Sequence, residues 1–236
     1  MRIRILATLL FLLSINLHAM EARIIKMSGE VKYRQGVEEA WHSVYPGVIL
    51  KEIDTILTGE GGEVLLQIHD ELIFRLGANA ILDIADLRKI TEQELFLYLT
   101  RQKIQRIERG AEKPELHISN VSAIHGASQD TAATTKQTGA ATGNLWEREK
   151  NGAKALFDQR YFPNVIIKLD KILNRYSNVT DCGELYCYLG QSFEALKQPG
   201  QAADAYQTVI QQSEEKSCEN KEWNEIARQG LERLDQ

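Results

Sequence analysis

Cysteine is scarce in this chain, and the three residues present, Cys182, Cys187 and Cys218, follow no CxxC spacing and have no paired histidines beside them. That composition excludes a zinc ribbon or finger. Basic excess is also missing, since the net charge is −5 and neither half of the sequence is rich in Lys and Arg. Phosphate contacts need concentrated cations, so nucleic acid is not the expected partner. The one local exception is the cluster Arg101, Lys103, Arg106 and Arg109, which reads as a charged edge strand that resists pairing with other chains. Long apolar runs are absent except at the start. There "MRIR", the run Ile5 to Leu17 and "HAM" have the three regions of a secretory signal, with cleavage expected after Ala19. The run is short for a bilayer span of about 20 residues, so an uncleaved anchor is the lesser reading. Membrane contact is expected only if this segment is kept. Loss of Arg2 and Arg4 with the signal takes the net charge to −7.

Catalytic signatures are missing too. There is no GxSxG elbow and no GKS-type phosphate loop, and "GEGG" at Gly59 to Gly62 lacks the Lys and helix that would follow one, so it reads as a hairpin turn. "HD" at His69 and Asp70 lacks the partners of a phosphohydrolase metal site, and carboxylate pairs such as Asp83 and Asp86 have no recognisable setting. No catalytic, cofactor or metal site is therefore assigned.

What the sequence does have is short strands in series. From Arg23 onward the runs "RIIKM", "EVKYR", "DTILT", "EVLLQIH", "LIFRL", "ILDI", "ELFLYL", "KIQRIE" and "ELHIS" recur about every ten residues, separated by turn signals. Alternation places Val64, Leu66 and Ile68 on one face, and Leu72, Phe74 and Leu76 together on the next strand. The spacing predicts an all-β domain over 23–126, a sandwich or solenoid-like roll. Residues 127–144, almost all Ala, Thr, Gly, Ser and Gln, read as a flexible linker. From 145 to 236 the period becomes helical, and two amphipathic pairs align with Leu156 over Phe193 and Val165 over Ala202. The expected fold class is thus α+β multidomain: an all-β module, then an all-α array of helical hairpins.

The second hairpin carries Tyr186, Leu189, Gly190, Phe193, Ala202 and Tyr206 in the order of a tetratricopeptide repeat, and resembles that family. The first hairpin is a weaker match through Ala153, Leu156, Phe162, Leu169 and Ile172. The resemblance implies that first helices line a groove, turning Glu184, Cys187, Gln191 and Glu194 toward a protein or peptide partner. The amino-terminal half carries "SGEV" at Ser28, Trp41, "GVILKEIDTILTG", "EVLLQIHDE", "FRLGANAILDI" and "LFLYLTRQKI". In that order these resemble the FecR domain, an extracytoplasmic module. Gly47, Leu50, Asp54, Thr58, Gly77 and Asn79 match family positions that shape turns and strand ends. Departures are Ile53, Glu71 and Gln102 where the family has Gly, and "IHGA" in place of its closing element. Only "MRIR" precedes the apolar run, so the resemblance is expected to carry over the envelope-side module and not the transcriptional activity of the regulator that names the family.

In an oxidising compartment Cys182 and Cys218, at the start and end of one helical hairpin, are expected to bond and close a loop worth about 2 to 4 kcal/mol. Cys182 with Cys187, or three reduced thiols, are the alternatives. The expected function is a non-enzymatic periplasmic binding or scaffolding role. The rivals are an envelope sensor working with a membrane partner and, less favoured, a glycan-acting enzyme.

Overall fold

In a computed structural model the chain is described over residues 20–68, 72–110, 145–176, 179, 181–215 and 222–235, without the side chains of 105–110 and 215. The expected signal at 1–19, the expected "HDE" turn, the expected linker at 127–144, "ELHIS", "IHGA" and Cys218 lie outside the described residues. The chain divides into two compact units, Met1–Arg88 and Lys89–Gln236.

The first unit holds two antiparallel four-stranded sheets. Its strands are β1 (Glu21–Ser28), β2 (Val31–Arg34), β3 (His42–Ser43), β4 (Ile49–Lys51), β5 (Thr55–Thr58), β6 (Glu63–Ile68), β7 (Leu72–Leu76) and β8 (Ile81–Asp83). They order as β4-β1-β6-β7 and β3-β2-β5-β8. The register follows burial. Ile24 faces Leu66, Val64 faces Leu76, and Leu66 faces Phe74, all fully buried. A one-residue slip would turn each of these to solvent, so the period-2 pattern fixes the pairing. A bulge after Ile24 moves Lys26 opposite Leu65 and brings Ile25 to the surface. Leu72, expected with Phe74 and Leu76, is instead 49% exposed at the start of the edge strand β7.

The residues singled out as turn-shapers sit where backbone must bend. Gly47 has φ +97° and its N–H donates to Ile24 O at 2.7 Å. Buried Asp54 accepts from the N–H groups of Lys51 (2.8 Å) and Gly36 (3.2 Å), tying two turns to one carboxylate. Buried Thr58 donates to Gly77 O at 2.6 Å and accepts from Ala80 N–H at 2.9 Å, while the Asn79 N–H reaches Gly59 O. Leu50 is fully buried. "GEGG" is a turn, closed by Gly62 N–H to Gly59 O at 3.0 Å. A Cβ on Gly29 would stand 2.6 Å from Gly61 O, so "SGEV" and "GEGG" meet backbone to backbone.

The second unit is helical: α1 (Glu92–Gly110), α2 (Leu145–Asp158), α3 (Phe162–Arg175), α4 (Glu184–Ala195), α5 (Pro199–Glu215) and α6 (Glu222–Leu234). Here the sequence expectation is corrected: "ELFLYL" and "KIQRIE" are not strands but the single helix α1, and the β module ends by Arg88 rather than 126. The capping box explains why. Thr91 Oγ1 accepts from Glu94 N–H at 3.2 Å, and Glu94 Oε2 accepts from Thr91 N–H at 2.9 Å. Leu95 is buried while Leu97, two residues on, is 58% exposed, which a strand face would not give. The cationic cluster therefore belongs to a helix. Arg101 and Lys103 are exposed on it, and the side chains of Arg106 and Arg109 lie outside the described residues.

Small residues let α4, α5 and α6 approach. A Cβ on Gly190 would lie 2.5 Å from the Tyr206 ring, and one on Gly230 would meet the ring's other edge. Leu156, Phe193, Val165 and Ala202, the positions aligned by the repeat, are all buried.

Candidate functional site

Of the four side chains assigned to a groove, most are occupied with holding helices. Glu184 opens α4 and is buried, and its carboxylate accepts from Lys150 and, at 3.1 Å, from Lys154, both on α2. Cys187 is free and fully buried. Burial, with Glu184 and Glu222 adding, pushes its thiol up to about 12, so it stays neutral and is no nucleophile. Glu194 accepts two bonds from Arg233 (2.8 and 3.0 Å) and one from the Tyr206 hydroxyl (2.7 Å). The guanidinium holds that carboxyl below its usual range. Gln191 alone is half-buried with no such engagement. As a set these four do not present an open surface, because Glu184 and Glu194 accept charge-assisted hydrogen bonds from cations on other helices and Cys187 is buried.

Further pairs lock the same unit. Arg175 donates to buried Glu149 at 2.7 Å, joining α3 to α2, and Tyr98 on α1 donates to Asp170 on α3 at 2.7 Å. In the β unit the carboxylate pair weighed above is also structural, because Asp83 accepts from the Thr55 hydroxyl at 2.8 Å and Asp86 is buried. Cys182 is disulfide-bonded, which removes the Cys182–Cys187 alternative.

A row of aromatic rings, of which the sequence reading had marked only Phe162 and that as a repeat position, is the better candidate. Phe157 of α2 meets Phe162 edge-on at 5.5 Å and Tyr188 of α4 at 5.0 Å, and Tyr188 meets Trp223 of α6 at 5.7 Å. All four are half-buried. The Lys154 ammonium lies 5.8 Å from the Tyr188 ring centre. The row crosses four helices, α2, α3, α4 and α6, and in it Phe157 and Tyr188 sit beside core positions, Leu156 for the first and Cys187 and Leu189 for the second. Half-exposed aromatics with a cation alongside bind apolar or aromatic groups through area and ring electrostatics, without covalent chemistry. Its sequence signal is weak, because Phe157 and Tyr188 fall one place away from the buried Leu156, Cys187 and Leu189, and the four rings do not repeat at the hairpin spacing.

Among the described residues no group of three or more His, Cys, Asp or Glu is placed to hold a metal, and no helix is long and apolar enough to cross a membrane. No family model, curated protein or solved structure matches the chain.

Proposed function

We propose that this chain is a non-enzymatic binding or scaffolding protein of the bacterial cell envelope, built from a FecR-like β sandwich and a tetratricopeptide-like helical array that receives a protein or peptide partner. The observation that carries this reading is the row Phe162, Phe157, Tyr188 and Trp223, half-exposed across α2, α3, α4 and α6. Aromatic anchors of this kind dominate protein–protein binding energy. Gly190, where a Cβ would lie 2.5 Å from the Tyr206 ring, supports the tetratricopeptide-like reading, since that repeat has a small residue there so that its two helices can approach. The disulfide state of Cys182 suits an oxidising compartment and hence export. We assign its partner as Cys218.

A photo-crosslinking amino acid at position 188 or 223, in intact cells, tests the reading. Specific envelope proteins are expected to be captured, and Trp223→Ala with the crosslinker at 188, or Tyr188→Ala with it at 223, to weaken that capture about tenfold or more. Capture that is indifferent to both substitutions would overturn the aromatic row as the binding surface. The same purified protein, mapped without reductant, is expected to return Cys182 joined to Cys218; a free Cys218 would remove that bond and its support for export.

A further inference from the structure

Helix α1 has two unlike faces. Leu95 is buried and Tyr98 is bonded to Asp170, so one side belongs to its own unit. On the other side Phe96 is 66% exposed, Leu97 58% and Ile104 51%. At helical periodicity these three, with Thr100 and the exposed Gln93 one turn N-terminal, span about 100° of the helix; Arg101 and Lys103 fall within about 40° of the two borders, and Glu92, beyond Lys103 in angle, lies about three turns from it along the axis. Both cations are exposed, and neither has an ion-pair partner among the described residues. The acids of the first turn are Glu92 and Glu94, and Glu94 is turned back onto Thr91 as the cap.

We propose that this face of α1 lies on an anionic lipid surface. A stripe of one aromatic and two aliphatic side chains, bordered on both sides by cations, is the arrangement by which an amphipathic helix seats itself at a bilayer boundary. The apolar groups enter the acyl region and the cations reach up to phosphate headgroups. An exposed helix is convex, so a protein partner would have to supply a groove around it, whereas lipid headgroups part to admit it. Charge complementarity selects anionic over neutral lipid, since each cation near such a surface adds attraction that salt screens. The contact is separate from the protein-binding reading above, because the face contains none of the aromatic row.

The test uses the full chain and vesicles of phosphatidylglycerol and phosphatidylcholine in equal parts, against phosphatidylcholine alone. Wild type is expected to sediment with the anionic vesicles and to be released by salt. Leu97→Glu with Ile104→Glu, and separately Arg101→Glu with Lys103→Glu, are each expected to weaken binding at least about tenfold, about 1.4 kcal/mol. The readout is the difference from wild type, so any contribution from the apolar run at 5–17 cancels. Tryptophan placed by Phe96→Trp is expected to be quenched by acyl chains carrying bromine, beyond the quenching of the parent chain. All five positions are exposed, and circular dichroism confirms that each variant folds. Equal binding by wild type and variants, no binding, or an unquenched Trp at 96 would overturn the proposal. So would a dimer in analytical ultracentrifugation that the same substitutions dissolve, which would make a second copy the occupant.

Discussion

Gly190 and Gly230 lie against opposite edges of the Tyr206 ring, whose hydroxyl is in turn held by Glu194 and, through it, Arg233. A methyl group at 190 has nowhere to go, because the ring it would strike is pinned at its far end. Gly190→Ala is therefore expected to cost about 1–3 kcal/mol, lowering the helical unit's melting temperature by roughly 2–10 °C. Gly200, with nothing within 4 Å of its Cβ position, serves as the control, and Gly200→Ala is expected to change little or stabilise. Thermal melts followed by circular dichroism separate the two. The same packing silences Cys187. Its thiol is neutral when folded and reaches its midpoint only at about 12, against about 9 when exposed. Burial of the neutral form thus contributes stability that is complete below pH 9 and is lost as pH rises through the interval to about 12. In urea titrations, the gap between wild type and Cys187→Ala is expected to narrow on going from about pH 8 to about pH 11. A gap that stays constant would show the thiol to be more accessible than its burial implies.

At the scale of elements, legibility depended on whether one period stood alone. β6 was readable because Val64, Leu66 and Ile68 alternate with half-buried residues and all three are buried. In "ELFLYL" two periods coexist. Leu95, Leu97 and Leu99 alternate as in a strand, while Leu95, Tyr98 and Gln102 recur as in a helix. The decision rested on "TEQE", which overlaps the start of the run at Glu94 and whose reciprocal cap between Thr91 and Glu94 closes the first turn. Thr91→Ala removes the hydroxyl that accepts from Glu94 N–H and is expected to cost about 0.5–2 kcal/mol. Because α1 leans on the rest of its unit largely through Leu95 and Tyr98, the loss should fall locally, as faster amide exchange and earlier tryptic cleavage at Arg101 and Lys103. Unchanged exchange along α1 would mean that packing, not the cap, holds its first turn. The candidate site was less legible than the helices that carry it. Glu184 and Glu194 look like solvent-facing carboxylates in sequence, and only the positions of Lys150, Lys154 and Arg233 on other helices convert them to clamps.

For the whole molecule, the change from period 2 to period 3.6 announced two kinds of structure, and the chain divides accordingly, although at Arg88 rather than at residue 126. Each unit has its own core. In the first, Ile24, Leu50, Ile56, Leu66, Phe74 and Leu82 are completely buried, and in the second Leu156, Val165, Ile172, Leu185 and Tyr206 are. A domain with its own core can melt as its own cooperative unit, so calorimetry is expected to show two transitions. Leu66→Ala opens a cavity in the first core and should cost about 2–5 kcal/mol, moving one transition down while the other stays. Leu169→Ala does the reverse, since Leu169 is 1% exposed within α3 of the second unit. If both substitutions shift a single common transition, the two cores are energetically one, and binding at either surface would then be felt at the other. If the transitions move separately, each surface works on its own module, and joining them in one chain acts by raising the local concentration of one ligand near the other.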